Sequence, residues 1–214
     1  GPKTRDNNMF IDEDKKIIFI HIAKAAGSSI HVALKDASGW LMGDKRREDP
    51  APFIHHMSAQ DLIKQKPEYS SYYKFAITRE PLERLRSGYI DFMTGTDRRS
   101  YHMSIKEYDS FENFCKAFPD SKWSTDPHFR PQHEMVCDNK GEIMVDIGKY
   151  ENLRDDLFRI GNKLGFDVNP FMTMSHYRNY KKRHEIFDTT LTEETEKNIK
   201  DFFSRDYELF DYER

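Results

Sequence analysis

Lys24, Gly27, Ser28 and Ser29 place a full positive charge, a residue without a side chain and two hydroxyls within six consecutive positions. That set suits an anion. Backbone N–H groups at a helix start are unpaired and carry partial positive charge, so they attract a phosphate or sulfate. Gly27 lets the backbone approach closely, Ser28 and Ser29 add hydroxyl donors, and Lys24 adds a cation. The elements that must position them are legible on either side. Ile17-Ile18-Phe19-Ile20 has the composition of a fully buried strand. Ala23–Gly27 is a small-residue loop, and Ile30, Ala33 and Leu34 begin a helical spacing. The same residues also describe an ordinary buried strand followed by a serine N-cap. A Walker-type ATPase is disfavoured, because its loop needs Gly-x4-Gly-Lys-Ser/Thr. Here the lysine precedes the glycine and the first glycine is absent.

A second strand-to-helix junction follows one crossover later. Tyr72–Thr78 reads as a strand and runs into Arg79-Glu80-Pro81, with Pro81 suited to a first helical turn. Leu82, Leu85, Tyr89 and Phe92 then share one helix face. Arg79 therefore stands at a strand's C-terminal end, where ligands bind in open α/β sheets, with Ser87 and the cations Arg84 and Arg86 close by in sequence. A salt-bridging or capping Arg79 would read the same way.

The rest of the chain bounds the class. Its 214 residues suffice for one domain with a substantial core, 33% of them are charged, and no window approaches 18 apolar residues. Gly1-Pro2 reads as a scar of tag removal, and residues 1–14 as a polar, disordered or tag-derived start, leaving 15–214 as the domain. A net charge of −3 argues against a whole-surface nucleic-acid binder. The cations nevertheless cluster at Lys45-Arg46-Arg47, Arg98-Arg99 and Lys181-Lys182-Arg183, as solvated faces or as the lining of an anion groove. Cys115 and Cys137 suit neither a disulfide framework nor a metal site, and their pairing is open. No Asn-x-Ser/Thr sequon is present. Further helices are expected from Ser58 to about Gln65, from Asp109 to about Phe118, over Glu151–Leu164 with Gly165 as the stop, and after Thr192. A strand is expected over Glu142–Lys149, and Pro119–Gln132 reads as irregular. Thr192 starts a capping box whose N3 position holds Thr195 in place of Glu, leaving Glu193 and Glu194 to support the dipole.

Several phrases resemble the sulfotransferases that use 3′-phosphoadenosine 5′-phosphosulfate (PAPS), in their carbohydrate branch of chondroitin and uronyl 2-O type. That branch reads Pro-Lys-Thr-Gly-Gly-Thr-Ser in the first loop. Lys24 and Gly27 match it, Ser28-Ser29 stand at Thr-Ser, and Ala23, Ala25 and Ala26 depart from it. At Ala26 any left-handed backbone would be costly. TREPLERLRSGYIDF is similar to the family's 3′-phosphate motif, with Arg79, Pro81, Arg84, Leu85, Ser87 and Tyr89 in place. DPHFRPQ, DIGKYENLRDDL and RDYELFDY resemble further family segments, so the likeness runs from about residue 16 to 212.

The resemblance implies an α/β, single-domain, P-loop-like sulfotransferase fold with a central parallel sheet flanked by helices. It implies PAPS as donor and 3′-phosphoadenosine 5′-phosphate (PAP) as product, with no metal required. Lys24 would act on the bridging oxygen, Ala26, Gly27, Ser28 and Ser29 would hold the 5′-phosphosulfate, and Arg79 and Ser87 would grip the 3′-phosphate. Arg178, in a Ser175-x-x-Arg178 context, would add a cation there. A histidine has the pKa for the general base. His56 and His55 lie between the two cofactor motifs, and His56-Met57-Ser58 matches the His-x-Ser context of the uronyl enzymes; His128 and Glu48 stand in reserve. The expected acceptor is a hydroxyl, on a glycan by the resemblance. A P-loop-like nucleotide kinase and a non-catalytic module binding nucleotide or anionic glycan are the alternatives. The compartment is open between Golgi lumen and cytoplasm, as is the oligomeric state.

Overall fold

The computed structural model describes residues 10–25, 30, 57–94, 103–165 and 187–214. These fall into two compact units: Gly1–Thr78 with Gln132–Ser175, and Arg79–Pro131 with His176–Arg214. The first carries the sheet; the second is helical among its described residues.

In the sheet unit the strands run in the order β1 (Phe10–Asp12), β2 (Ile17–Ile20), β3 (Tyr73–Thr78), β4 (Asp146–Lys149). β2, β3 and β4 are parallel, while β1 pairs antiparallel with β2. The α/β class and the central parallel sheet hold, with β1 added antiparallel at the edge. The added strand comes from the stretch read as a polar start. Its turn is closed by Asp12, whose Oδ1 accepts the Lys15 N–H at 2.9 Å, with Lys16 at φ 58°. All four residues of β2 are buried, as their unbroken apolar run requires of a strand covered on both faces. The apolar run expected as a strand from Glu142 is instead divided. Ile143 bridges Cys137 antiparallel, and regular pairing begins only at Asp146.

Helix α1 (Ala59–Gln65) starts at the expected cap, Ser58, whose Oγ accepts the Asp61 N–H at 3.1 Å. A short helix α4 (His133–Val136) also belongs to this unit, and α5 (Leu153–Leu164) packs on β4 and ends at Gly165 with φ 71°. Gly148 permits that packing. A Cβ there would lie 2.7 Å from Ile77 Cδ1 and 3.2 Å from Asp156 Cβ. At the opposite end of β4, Asp146 accepts from Tyr73 Oη at 2.5 Å and from both Arg159 and Lys163 of α5. Burial alone would raise the Asp146 carboxyl, but these donors outweigh it and hold it below the usual carboxylate range.

The helical unit contains α2 (Pro81–Thr94), α3 (Phe111–Ala117), α6 (Glu193–Phe202) and α7 (Ser204–Leu209). Its core is aromatic, with Tyr89, Phe111, Phe114, Phe118, Trp123 and Phe129 all buried. The 119–132 stretch, irregular as expected, supplies two of these rings, Trp123 from a short 3-10 turn and Phe129 from a turn in which its N–H donates to the Asp126 carbonyl at 2.9 Å. Cys115 and Cys137 are buried thiols, each in a different unit. Among the described residues no helix is long and apolar enough to cross a membrane.

The incomplete capping box at Thr192 is completed from another helix. Glu112 of α3 accepts the Thr192 N–H at 2.9 Å and the Thr195 hydroxyl at 2.6 Å, doing what an N3 glutamate does within one helix. The Thr195 hydroxyl, followed by the Thr192 N–H, holds the Glu112 carboxyl below its ordinary value. A depressed carboxylate stabilises the fold above its unfolded pKa, and the contribution is lost as pH falls through the folded value. Glu112→Gln should therefore lower the melting temperature at neutral pH, and the difference from wild type should shrink as the pH falls below about 4. A pH-independent difference in thermal unfolding would contradict this. Gly148→Ala should destabilise by about 1–3 kcal/mol in denaturant titrations, because Ile77 and α5 leave no room for a methyl group.

Candidate functional site

In the sheet unit the register sets Ile20 opposite Ala76 in parallel strands, so β2 and β3 deliver their C-terminal ends to one edge. Past β2, His21, Ile22, Ala23 and Ala25 are all buried, while Lys24 between the two alanines is only partly so. The small alanine side chains anchor the loop on both sides of the lysine. Lys24 itself has φ 66°, in the left-handed region that an L residue occupies at a cost of about 1 kcal/mol or more. Such strain persists where surrounding structure fixes it, and it clusters at functional sites. The left-handed residue of this loop, among those described, is thus the lysine. Ala26, Gly27, Ser28 and Ser29 lie outside the described residues, and Ile30 beyond them is helical and fully buried.

In the helical unit, Arg79 leads directly into α2. Glu80 caps the helix, its Oε2 accepting the Glu83 N–H at 2.8 Å, and Pro81 takes the first position as its fixed φ favours. Arg79, just before the helix, and Ser87, about two turns into it, are each 5% exposed, so both side chains are withdrawn from bulk water. A buried guanidinium leading into a helix N-terminus fits a phosphate, through bidentate charge-assisted hydrogen bonds.

The other two cations of this helix are used by the fold. Arg84 donates from one terminal nitrogen to the Arg130 carbonyl at 2.7 Å. Burial lowers its pKa to about 10, against the opposing pull of the Asp206 and Asp126 charges. Arg86 pairs with Glu83 and lies 5.5 Å over the Phe111 ring.

Also in this unit, His128 forms a pair with Asp126. The carboxylate Oδ1 lies 2.8 Å from the imidazole Nδ1 and also accepts the His128 backbone N–H at 2.8 Å. Asp126 is buried, and the ring packs edge-on against Phe92 with centroids 5.1 Å apart. A buried carboxylate that orients an imidazole is the arrangement of a general base. His55, His56, Glu48 and Arg178 lie outside the described residues, as do the three cation clusters. Among the described residues no group of three His, Cys, Asp or Glu side chains could hold a metal.

Sequence reasoning named Arg79, Ser87 and His128 but missed the polar groups that engage His128 and the first turns of α2. Asp126 was visible two positions before His128 in DPHFRPQ. Glu80 lay inside the Arg-Glu-Pro phrase, and Asp206 and Tyr207 inside the C-terminal RDYELF.

A β-strand leading to a strained lysine, and a second leading to a buried arginine at a helix start, are features of an anion-handling α/β transferase. The chain belongs to the sulfotransferase family, whose match covers residues 7–213. It is also similar to carbohydrate sulfotransferase 11 of Rattus norvegicus, at 23% identity over 96% of this chain and 67% of that protein. No solved structure matches the chain.

The left-handed backbone at Lys24 makes two substitutions differ. Lys24→Gly should be more stable than Lys24→Ala by about 1 kcal/mol in chemical denaturation, since glycine occupies that region without strain. Equal stabilities would mean that the loop relaxes and the strain is not imposed.

Proposed function

We propose that the protein transfers a sulfuryl group from PAPS to a carbohydrate hydroxyl. Family membership makes it a sulfotransferase. The reading of the donor is supported by the burial of Arg79 and Ser87, the two positions of TREPLERLRSGYIDF that the resemblance assigns to the 3′-phosphate. PAPS supplies an activated sulfuryl group whose bridging oxygen leaves with the 5′-phosphate. Lys24 stabilises the charge that develops on that oxygen, and the backbone and hydroxyls of Gly27, Ser28 and Ser29 bind the phosphosulfate. Ala26 contributes its backbone N–H to the same cradle. Arg79 and Ser87 fix the 3′-phosphate, with Arg178 as a further cation. The acceptor oxygen forms the new S–O bond in line as the bridging S–O bond breaks, and its proton passes to a histidine. Such chemistry rests on positioning and electrostatic stabilisation.

His56 is the first assignment for the base, through its His-x-Ser context, with His55 beside it. His128 has the orienting carboxylate that a base requires. The carbohydrate acceptor is supported by the name of the rat relative. Family membership leaves the kinase reading without support.

The direct test is transfer of labelled sulfuryl from PAPS to a panel of desulfated glycans, with a tyrosine peptide as control. The expected result is label on a glycan. Label on the peptide alone would overturn the acceptor class, and none on either would favour the non-catalytic reading. Lys24→Ala should lower kcat by about 10²-fold or more with little change in donor affinity. His56→Ala should abolish turnover and spare nucleotide binding; if turnover survives, and is lost in His128→Ala, the base is His128.

A further inference from the structure

We infer that Tyr207, near the chain's C-terminus, is a positioning residue for the donor's 3′-phosphate, acting through Glu80. The inference rests on the PAPS reading above. Glu80 stands between Arg79, assigned to that phosphate, and Pro81, which opens α2. Its carboxylate is held at both oxygens. Oε2 accepts the Glu83 N–H at 2.8 Å, and Oε1 accepts the hydroxyl of Tyr207. Tyr207 is itself fixed, being 2% exposed within the aromatic core of the helical unit. The next residue back, Asp206, is fully buried and supplies opposing charge to Arg84, one turn into α2. Two successive residues of α7 thus act on the first turn and a half of the helix that Arg79 enters.

The consequence for binding is electrostatic. A carboxylate adjacent in sequence to a phosphate-gripping guanidinium is that guanidinium's natural competitor for the anion. With its oxygens engaged by the helix N–H and the tyrosine hydroxyl, Glu80 has its charge dispersed into the fold. Removing the hydroxyl alone, as in Tyr207→Phe, leaves the ring in the core and takes one donor from Oε1. The carboxylate then turns to the nearest alternative cation, and the phosphate must displace it. The penalty falls on ligands carrying the 3′-phosphate and not on those lacking it. A neutral amide at position 80 still accepts the Glu83 N–H, the one of these bonds left when the tyrosine hydroxyl is gone, through its single carbonyl oxygen and carries no competing charge, so Glu80→Gln should cancel the defect.

The test is calorimetric titration of wild type, Tyr207→Phe and Tyr207→Phe/Glu80→Gln with PAP and with ADP. Wild type should prefer PAP. Tyr207→Phe should reduce that preference by about tenfold or more while leaving ADP affinity unchanged, and the double variant should recover most of it. A merely structural role would weaken both nucleotides together or lower the melting temperature without changing their ratio. Either of these outcomes overturns the inference, as does an unrescued double variant. If wild type shows no preference for PAP, the PAPS reading itself fails, and that failure is distinct because it precedes any substitution.

Discussion

The parallel pairing of β2 with β3 is the constraint on which the sheet unit depends. β2 is wholly buried and β3 buried from Lys74 onward, so both depend on their pairing and on cover from the rest of the unit. Their shared direction has a chemical result. β2 and β3 end at the same, C-terminal edge of the sheet, where α/β proteins bind ligands, and the chain leaves β2 into the Lys24 loop. At the other end, Asp146 ties β3 and β4 to α5 through Tyr73, Arg159 and Lys163. The ion pairs there tie the sheet to its helix, while the loop after β2 holds Lys24 in the left-handed region.

In the helical unit, several buried charged groups are grouped with one another. Arg84 sits among Arg130, Asp206 and Asp126; Asp126 in turn orients His128; Glu80 is shared by the helix start and Tyr207. Unpaired, any of these would carry a desolvation cost of several kcal/mol. Together they hold the first turns of α2, the helix that Arg79 enters.

What was legible in the sequence was what local chemistry determines. Ile17–Ile20, with the composition of a buried strand, is β2, and Ser58, Ser110 and Thr192 cap helices because their hydroxyls reach the N–H three residues on. The strand-to-helix junction at Arg79 was readable for the same reason, with Pro81 opening α2 where its fixed φ favours it. What was hidden depends on tertiary pairing. Phe10–Asp12 is too short and too polar in its flanks to declare a strand, and only its partner β2 makes it one. The Glu142–Lys149 run was read as one strand because composition cannot show that Ile143 turns back onto Cys137. Glu112 completing a cap from another helix, and Tyr207 reaching Glu80 across 127 positions, leave no mark in a local pattern.

The central claim is that Arg79 reads the 3′-phosphate of the donor. The most direct measurement is the affinity of Arg79→Ala for PAP and for a nucleotide lacking only that phosphate, set against wild type. The account predicts that wild type discriminates between them and that the variant loses the discrimination while still binding the shorter nucleotide as before. Equal weakening toward both nucleotides, or a wild type that binds them alike, would contradict it.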